Sequence, residues 1–425
     1  MILTMPFIQR TTLNVGLALL FAVIARGEEP KSFRLATFTA DVTVPLGHGM
    51  MGGAWRATKI VDPLEAHGLV WLGADKPIVY VAVDWCEIRN DAYRQWQQLL
   101  ADAAGTSPER VMTSTLHQHD APVADLEAER MLRARKAAGS VCDPEFHEQA
   151  VRRVAAALKA SLASAQAITH VGIGQAKVER VASNRRFVAP DGSVRFDRLS
   201  RTVDPIATAA DEGTIDPWLK TLSFWHGERA VAAVSAYAVH PMSYYGSGEV
   251  SADFPGVARR SRQRETPDVK QIYVTGCAGN VTAGKYNDGS RANRAVLADR
   301  IQQAMIAAWK DTKKHELRQI RYHVTSLQLD PRSEAGFTAE DLQRTLSTAE
   351  KPFDQCLAAM GLSWRKRCAL GQSIEVPAID FGAAQWLLLP GEAYVEFQLA
   401  AQAARARPSG SRPTSTVLSI SPSAS

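Results

Sequence analysis

Two residue periods alternate along the chain. Residues 77–84 (PIVYVAVD) and 230–239 (AVAAVSAYAV) are continuously apolar, as strands covered on both faces are. Residues 33–45 and 317–329 alternate polar and apolar positions, the mark of half-exposed strands. Residues 110–116, 171–181, 218–225, 269–274 and 383–389 read as further strands. Helical spacing runs through residues 90–104, with Trp96, Leu99 and Leu100 on one side, and through the Ala-rich stretch 144–167. Residues 291–309, 337–346 and 392–404 complete the predicted helices. Interleaved in this way, the elements predict an α/β, mixed α+β fold in which mixed sheets are covered by helices. Residues 201–216 are polar and irregular, as a surface loop is, and 334–367 reads as an excursion from the core.

Composition narrows the class. The 425 residues are 46% hydrophobic and 22% charged, which excludes a disordered chain, a coiled coil and a collagen. Forty-nine Lys and Arg against 44 Asp and Glu leave a net charge of only +5. No dense basic tract with interleaved aromatics occurs, so no nucleic-acid partner is expected. Residues 1–27 have the form of a secretory signal peptide: Arg10, an apolar run over 13–25, then small residues at Ala25 and Gly27. The run is shorter than the about 20 residues of a membrane span. A retained N-terminal anchor is the alternative reading. Export implies a secreted or periplasmic protein, in a compartment where disulfides form. Of the five cysteines, Cys356 and Cys368 are a candidate pair, and Cys86 and Cys277 read as buried small side chains. Residues 405–425 are rich in Ser, Pro, Arg and Thr, as a disordered tail is.

Four strand ends carry polar clusters. Residues 116–122 read LHQHDAP; in an extended segment His117 and His119 face one side together. Residues 238–243 read AVHPMS, with Pro241 stopping the strand and leaving His240 at its tip. Nearby Asp253 sits in SADFPG, where it is also a candidate helix cap. Residues 275–284 read TGCAGNVTAG, whose glycines permit close approach of backbone to a ligand and whose amides or Thr282 hydroxyl could meet an oxyanion. Taken alone, that loop is also an ordinary tight turn. Residues 389–392 read LPGE, where Glu392 is a metal ligand or a first-turn acid on a helix dipole. The shared position is the stronger signal, because sites in open α/β sheets assemble at the C-terminal strand ends. Two His and one carboxylate form a catalytic zinc set with an open position.

In this order the blocks resemble the neutral/alkaline, non-lysosomal ceramidase family, in its large N-terminal catalytic domain. HQHDAP resembles that family's HTHSGP-like block, AVHP its ALHP-like block, SADFPG its SGDNKG-like block, CAGNVTAG its NLGDVSPN-like block, and PGE its PGE. Residues 50–53 (MMGG) look like its MGG turn, and Asn184-Arg185 like its INRS segment. The resemblance spans residues 33–402. It implies a catalytic domain over 33–404, Zn2+ held by His117, His240 and Glu392, His119 beside the nucleophile, Thr282 at the catalytic serine's place, and Arg185 lining the site. The implied reaction is hydrolysis of an amide joining a fatty acid to a sphingoid base, a lipid amide whose presentation involves a membrane surface. Thr282 for Ser, Asn280 for an acidic residue and HQHDAP for HTHSGP depart from the pattern and bear on the substrate. A Tyr zinc ligand that the family carries beyond the PGE helix has no counterpart here; the change of character near Arg407 reads as a truncation or frameshift, or as a native tail. Two other readings stand beside the ceramidase-like one: an esterase or amidase acting on a non-lipid substrate, and a non-catalytic relative.

Overall fold

The computed structural model describes residues 32–406 and the backbone of 416–420. The segment read as a signal peptide lies outside the described residues, as do 407–415 and 421–425. Three mixed sheets carry the fold. The first is built from β1 (Phe33–Asp41), β2 (Glu65–Leu72), β3 (Ile78–Val83), β4 (Val111–Thr115) and β5 (Gln166–Ile168), in the spatial order β5-β1-β2-β3-β4. The second takes β6 (His170–Lys177), β7 (Trp218–His226), β8 (Arg229–Tyr237), β9 (Lys270–Thr275) and β10 (Lys313–Glu316), in the order β9-β8-β7-β6-β10. The third runs β11 (Arg321–Leu327), β12 (Ile374–Asp380), β13 (Ala384–Leu388) and β14 (Thr416–Ile420).

The continuously apolar β3 shows why the layers stack. Its Ile78, Tyr80 and Ala82 join an inter-sheet core with Leu222 and Phe224 of β7 and Ile272 of β9. Its Val79, Val81 and Val83 face the other way, into a core with Trp96 and Leu100 of α1 (Asn90–Ala104). Both faces are dry, so the strand has no polar alternation. The inter-sheet core closes around Trp71, edge-on to Phe224 and Trp386. Alongside α1 lie α2 (Leu126–Ala134) and α3 (Pro144–Ser161), the latter packed on β1. After α4 (Pro205–Ala209), the paired α5 (Asp253–Glu265) and α6 (Arg291–Lys310) cover β9 and β6.

Two crossovers set up the site. β3 and β4 are parallel and joined through α1; β8 and β9 are parallel and joined through α5. The C-terminal ends of β4 and β9 meet, where the Thr275 hydroxyl donates to the Leu116 carbonyl at 2.8 Å. The His117, His240 and glycine-rich loops all leave from this edge.

Several elements differ from the sequence reading. The Ala-rich run 144–167 is not one helix: α3 ends at Ser161, and β5 pairs with the exposed edge of β1. The strand expected over 317–329 starts at Arg321, because Leu317 is tied to Thr169 after β10. The excursion is two helices, α7 (Ala339–Thr348) and α8 (Pro352–Ala369), packed on α2 around Leu132, Leu346, Cys356 and Met360. Cys356 and Cys368 both lie in α8, where twelve residues of rise separate them by about 18 Å, beyond disulfide reach; none of the five cysteines is bridged to another. The last helix, α9 (Val395–Ala406), begins three residues after Glu392. The tail is not wholly unstructured, because β14 pairs in parallel with β13 and supplies it with backbone partners. Among the described residues no helix is long and apolar enough to cross a membrane.

Candidate functional site

Loop geometry brings the four clusters together. After β4, the His117 amide bonds back to the Trp85 carbonyl at 3.1 Å, and His117 adopts φ +60°, a left-handed conformation uncommon outside glycine. Strain of this kind is held by surrounding structure and concentrates at functional sites. After β8, His240 donates its amide to Val281 at 2.9 Å and forms a parallel bridge with Thr282. The PGE turn reaches the site from β13 through Gly391, at φ +66°. It is pressed onto the glycine-rich loop: the Gly279 amide donates to the Ala393 carbonyl at 3.0 Å, and a Cβ on Gly279 would stand 2.1 Å from the Glu392 carbonyl oxygen. Asn280 explains its own side chain here. Its Oδ1 accepts the Val395 amide that opens α9, and its Nδ2 donates to Glu396 at 2.8 Å. Gln398 adds a second clamp, accepting the Cys277 amide at 2.9 Å and donating to Asp216 at 2.8 Å.

The result is one compact donor set. His117 Nδ1 meets the Cys86 carbonyl at 3.2 Å, and His240 Nδ1 meets the Ala278 carbonyl at 2.7 Å. With both Nδ1 atoms spent as donors, each Nε2 presents a lone pair. Those two atoms stand 3.3 and 3.4 Å from the two oxygens of Glu392. Three acceptors converging on one point require positive charge between them, protons or a cation. Zinc ligand atoms about 2.1 Å from a tetrahedral ion stand about 3.4 Å from each other, so the donor set fits zinc in spacing and chemistry. The Nδ1–H to carbonyl bonds are the outer-shell contacts that fix imidazole ligands. Glu392 is 44% exposed, which leaves one side of the cluster open.

Electrostatics separates the three imidazoles. Burial pushes His117 down, but Glu392 overrides it and raises its pKa. Burial opposes charge on Glu392 too, yet His117 and His240 hold its carboxyl far below the usual range. His119 is lowered by burial and then by His117 and His240, and so stays neutral. Its ring lies 5.4 Å from His117, 5.9 Å from His240 and 5.0 Å from Tyr245. Its Nδ1 is buried without a hydrogen-bond partner.

Arg185 also reaches the cluster. Its amide bonds the Asn280 carbonyl at 2.8 Å, its charge acts on His119 and His240, and its Nε is buried without a partner. Thr282 lies beside His240 in the backbone, fully buried, but its hydroxyl donates to the Leu199 carbonyl and accepts the Gly284 amide. Of the loop amides, those of Gly276, Cys277, Gly279, Val281 and Gly284 already donate within the protein. Asp253 is more than a cap. It is buried, accepts from Ser243 and pairs with Arg294, which also holds Asp120 at 3.2 Å and so links three of the sequence blocks.

Sequence reasoning missed Cys86, Glu87 and Tyr245. Cys86 groups with His117 and His119 as donors within 4.8 Å, and Glu87 lies 3.8 Å from His117. Cys86 and Glu87 follow the apolar β3 run and Tyr245 follows the His240 block, so each stands close in sequence to a strand end. A third donor group, Glu65, His67 and Asp84, is occupied by the buried guanidinium of Arg259.

No family model matches the chain, and no curated protein matches it. Solved structures do. Neutral ceramidase from Pseudomonas aeruginosa superposes with a TM-score of 0.66 at 18% identity, over 92% of this chain and 68% of that one. A ceramidase complexed with C2 gives a TM-score of 0.64 at 16% identity, with 92% of this chain and 68% of that chain covered. The chain has a ceramidase-like fold.

Proposed function

We propose that the chain is a zinc-dependent amidohydrolase that cleaves an N-acyl amide of the ceramide type, and that its N-terminal segment directs export. The observation that supports it most is the Glu392 carboxylate placed between His117 Nε2 and His240 Nε2 at 3.3 and 3.4 Å. The ceramidase-like fold supports the choice of reaction class.

His117, His240 and Glu392 would hold the ion. Bound there, it supplies Lewis-acid polarisation of a carbonyl and a nucleophile from water near neutral pH. His119, neutral at working pH, accepts the proton of the attacking water at Nδ1 and returns it to the departing nitrogen. Arg185 aligns the amide through its unspent Nε–H. Thr282 keeps the Leu199 loop and the Gly284 turn against His240, and its hydroxyl reaches the reacting carbonyl only on releasing Leu199. That commitment is the one observation that favours a second reading, a metal-binding chain without turnover.

The test is metal analysis of the purified protein together with a panel of lipid amides, short-chain amides and esters. Stoichiometric zinc with preferential turnover of long-chain N-acyl amides is expected. Zinc with faster turnover of small soluble esters or amides would replace the lipid substrate with a non-lipid one. Zinc without any turnover would establish the second reading.

A further inference from the structure

Three imidazoles meet at the site, and two of them are held at Nδ1 by backbone carbonyls: His117 by Cys86 at 3.2 Å and His240 by Ala278 at 2.7 Å. The Nδ1 of His119 is buried with no such partner. A histidine that carries protons needs a fixed ring, and a hydrogen bond to one of its nitrogens ordinarily fixes it. For His119 packing takes that part. Of the aromatic rings against it, that of Tyr245 lies nearest, 5.0 Å away and edge-on at 68°, while those of His117 and His240 stand at 5.4 and 5.9 Å.

Tyr245 is 38% exposed, on a surface turn, yet the turn stands on buried charge. Asp120 follows His119 and Gly246 follows Tyr245, and these two neighbours are joined: Asp120 Oδ1 accepts the Gly246 amide at 3.1 Å. Arg294 adds a second tie, donating from Nη2 to Asp120 at 3.2 Å and to the Tyr244 carbonyl at 2.8 Å. Its guanidinium also lies 3.6 Å over the Tyr244 ring. One residue earlier, the Ser243 amide donates to Asp253 at 2.9 Å. Asp120, Asp253 and Arg294 are all buried. Burying three charged groups costs desolvation, and what they fix is the path of this turn. The Tyr245 ring is in addition stacked on Trp55 at 5.9 Å and 27°, and its hydroxyl lies 3.2 Å from that of Ser200. The ring is thereby held through its backbone, its face and its hydroxyl.

We propose that Tyr245 is the positioning residue of His119, its ring keeping the imidazole in a single orientation beside His117, His240 and Glu392. The proposal rests on the reading of His119 as the proton carrier, and one arm of its test is independent of turnover.

The experiment uses the full chain loaded with zinc and compares wild type, Tyr245→Phe and Tyr245→Leu, each also in a His119→Ala background, with a short-chain ceramide as substrate. Tyr245→Leu should lower kcat on the order of tenfold or more, with KM and zinc content unchanged. Tyr245→Phe, which keeps the ring, should recover most of that loss. In the His119→Ala background Tyr245→Leu should cost nothing further, because the two residues act as one unit. The arm without turnover is NMR of histidine labelled with 13C at Cε1, in which the His119 signal is the one that His119→Ala removes. It should be a single sharp line in wild type and Tyr245→Phe, and doubled or broadened in Tyr245→Leu. Should Tyr245→Leu not fold, Trp55→Leu, which removes the stacked partner of the ring, takes its place with the same expected outcome. An equal loss of kcat in both backgrounds, a raised KM at unchanged kcat, or a His119 line as sharp in the folded leucine variant as in wild type would overturn the proposal. If the wild type turns over no amide, the hydrolase reading falls and the His119 line alone decides whether Tyr245 positions that ring.

Discussion

Gly279→Ala is a one-carbon perturbation that acts on the candidate metal site through backbone alone. The added Cβ would stand 2.1 Å from the Glu392 carbonyl oxygen and 2.9 Å from Tyr394 Cδ1. Carbon and oxygen pack no closer than roughly 3.2 Å, so one of the two loops must move by about 1 Å. The glycine-rich loop is pinned by the Gly276–Tyr237 and Cys277–Gln398 bonds, whereas the PGE turn is exposed at Glu392. The PGE turn therefore yields, and with it the carboxylate that spans His117 and His240. Disturbing a contact that positions a metal ligand typically costs 10–100-fold in affinity, and the overpacking itself costs about 1–3 kcal/mol. Zinc affinity measured by competition with a chelating dye, alongside urea unfolding of the zinc-free protein, separates the two effects. A 10–100-fold weaker affinity with a modest loss of stability is expected. Wild-type affinity in a folded Gly279→Ala protein would show that Glu392 is not held by this contact.

The other expectations are compact. His119→Ala should lower kcat by about 10²–10⁴-fold while leaving zinc stoichiometry intact, since its imidazole carries a proton and not the ion; loss of zinc in that variant would move it into the ligand set. Thr282→Ser should keep activity on amides, because it retains the hydroxyl and removes a methyl. Thr282→Ala should lower kcat by about 10²-fold if the hydroxyl acts in the transition state, and an unchanged kcat would leave Thr282 as packing. His147 accepts a hydrogen bond from Trp96 at 3.1 Å, and burial pushes its pKa down to about 4. The unfolded imidazole takes its proton near 6.5, so between that value and about 4 only the unfolded state is protonated and stability falls as the pH falls. The window is worth ~3 kcal/mol, and His147→Gln should flatten the urea midpoint between pH 7 and pH 4 by that share; an unflattened profile would show that His147 titrates normally in the fold.

The sheet interiors were legible because their chemistry is one-dimensional. Residues 78–83 (IVYVAV) are apolar at every position since both faces of β3 are covered. The four polar clusters were legible as strand ends for the same reason: each follows a clear apolar run. What failed depended on partners distant in the sequence. β2 was overlooked because His67 and Gly68 break its pattern, although its pairing with β1 and β3 is continuous. α8 shows little amphipathic periodicity and packs against both α2 and α7. The start of α9 at Val395 is set by Asn280, more than a hundred residues earlier, which no local spacing can announce. That the Thr282 hydroxyl bonds the Leu199 carbonyl, 83 residues earlier, is likewise beyond the reach of local spacing. The grouping of His117, His240 and Glu392 needed only residue type and strand-end position, and these three side chains do converge.

The most direct measurement is zinc content and affinity of the purified full chain beside His117→Ala, His240→Ala and Glu392→Ala, each checked for folding by circular dichroism. One zinc per wild-type chain is expected, with loss of the ion in both histidine variants and weakened binding in the glutamate variant. A folded wild-type protein that binds no zinc, or two histidine variants that retain it with wild-type affinity, would contradict the account.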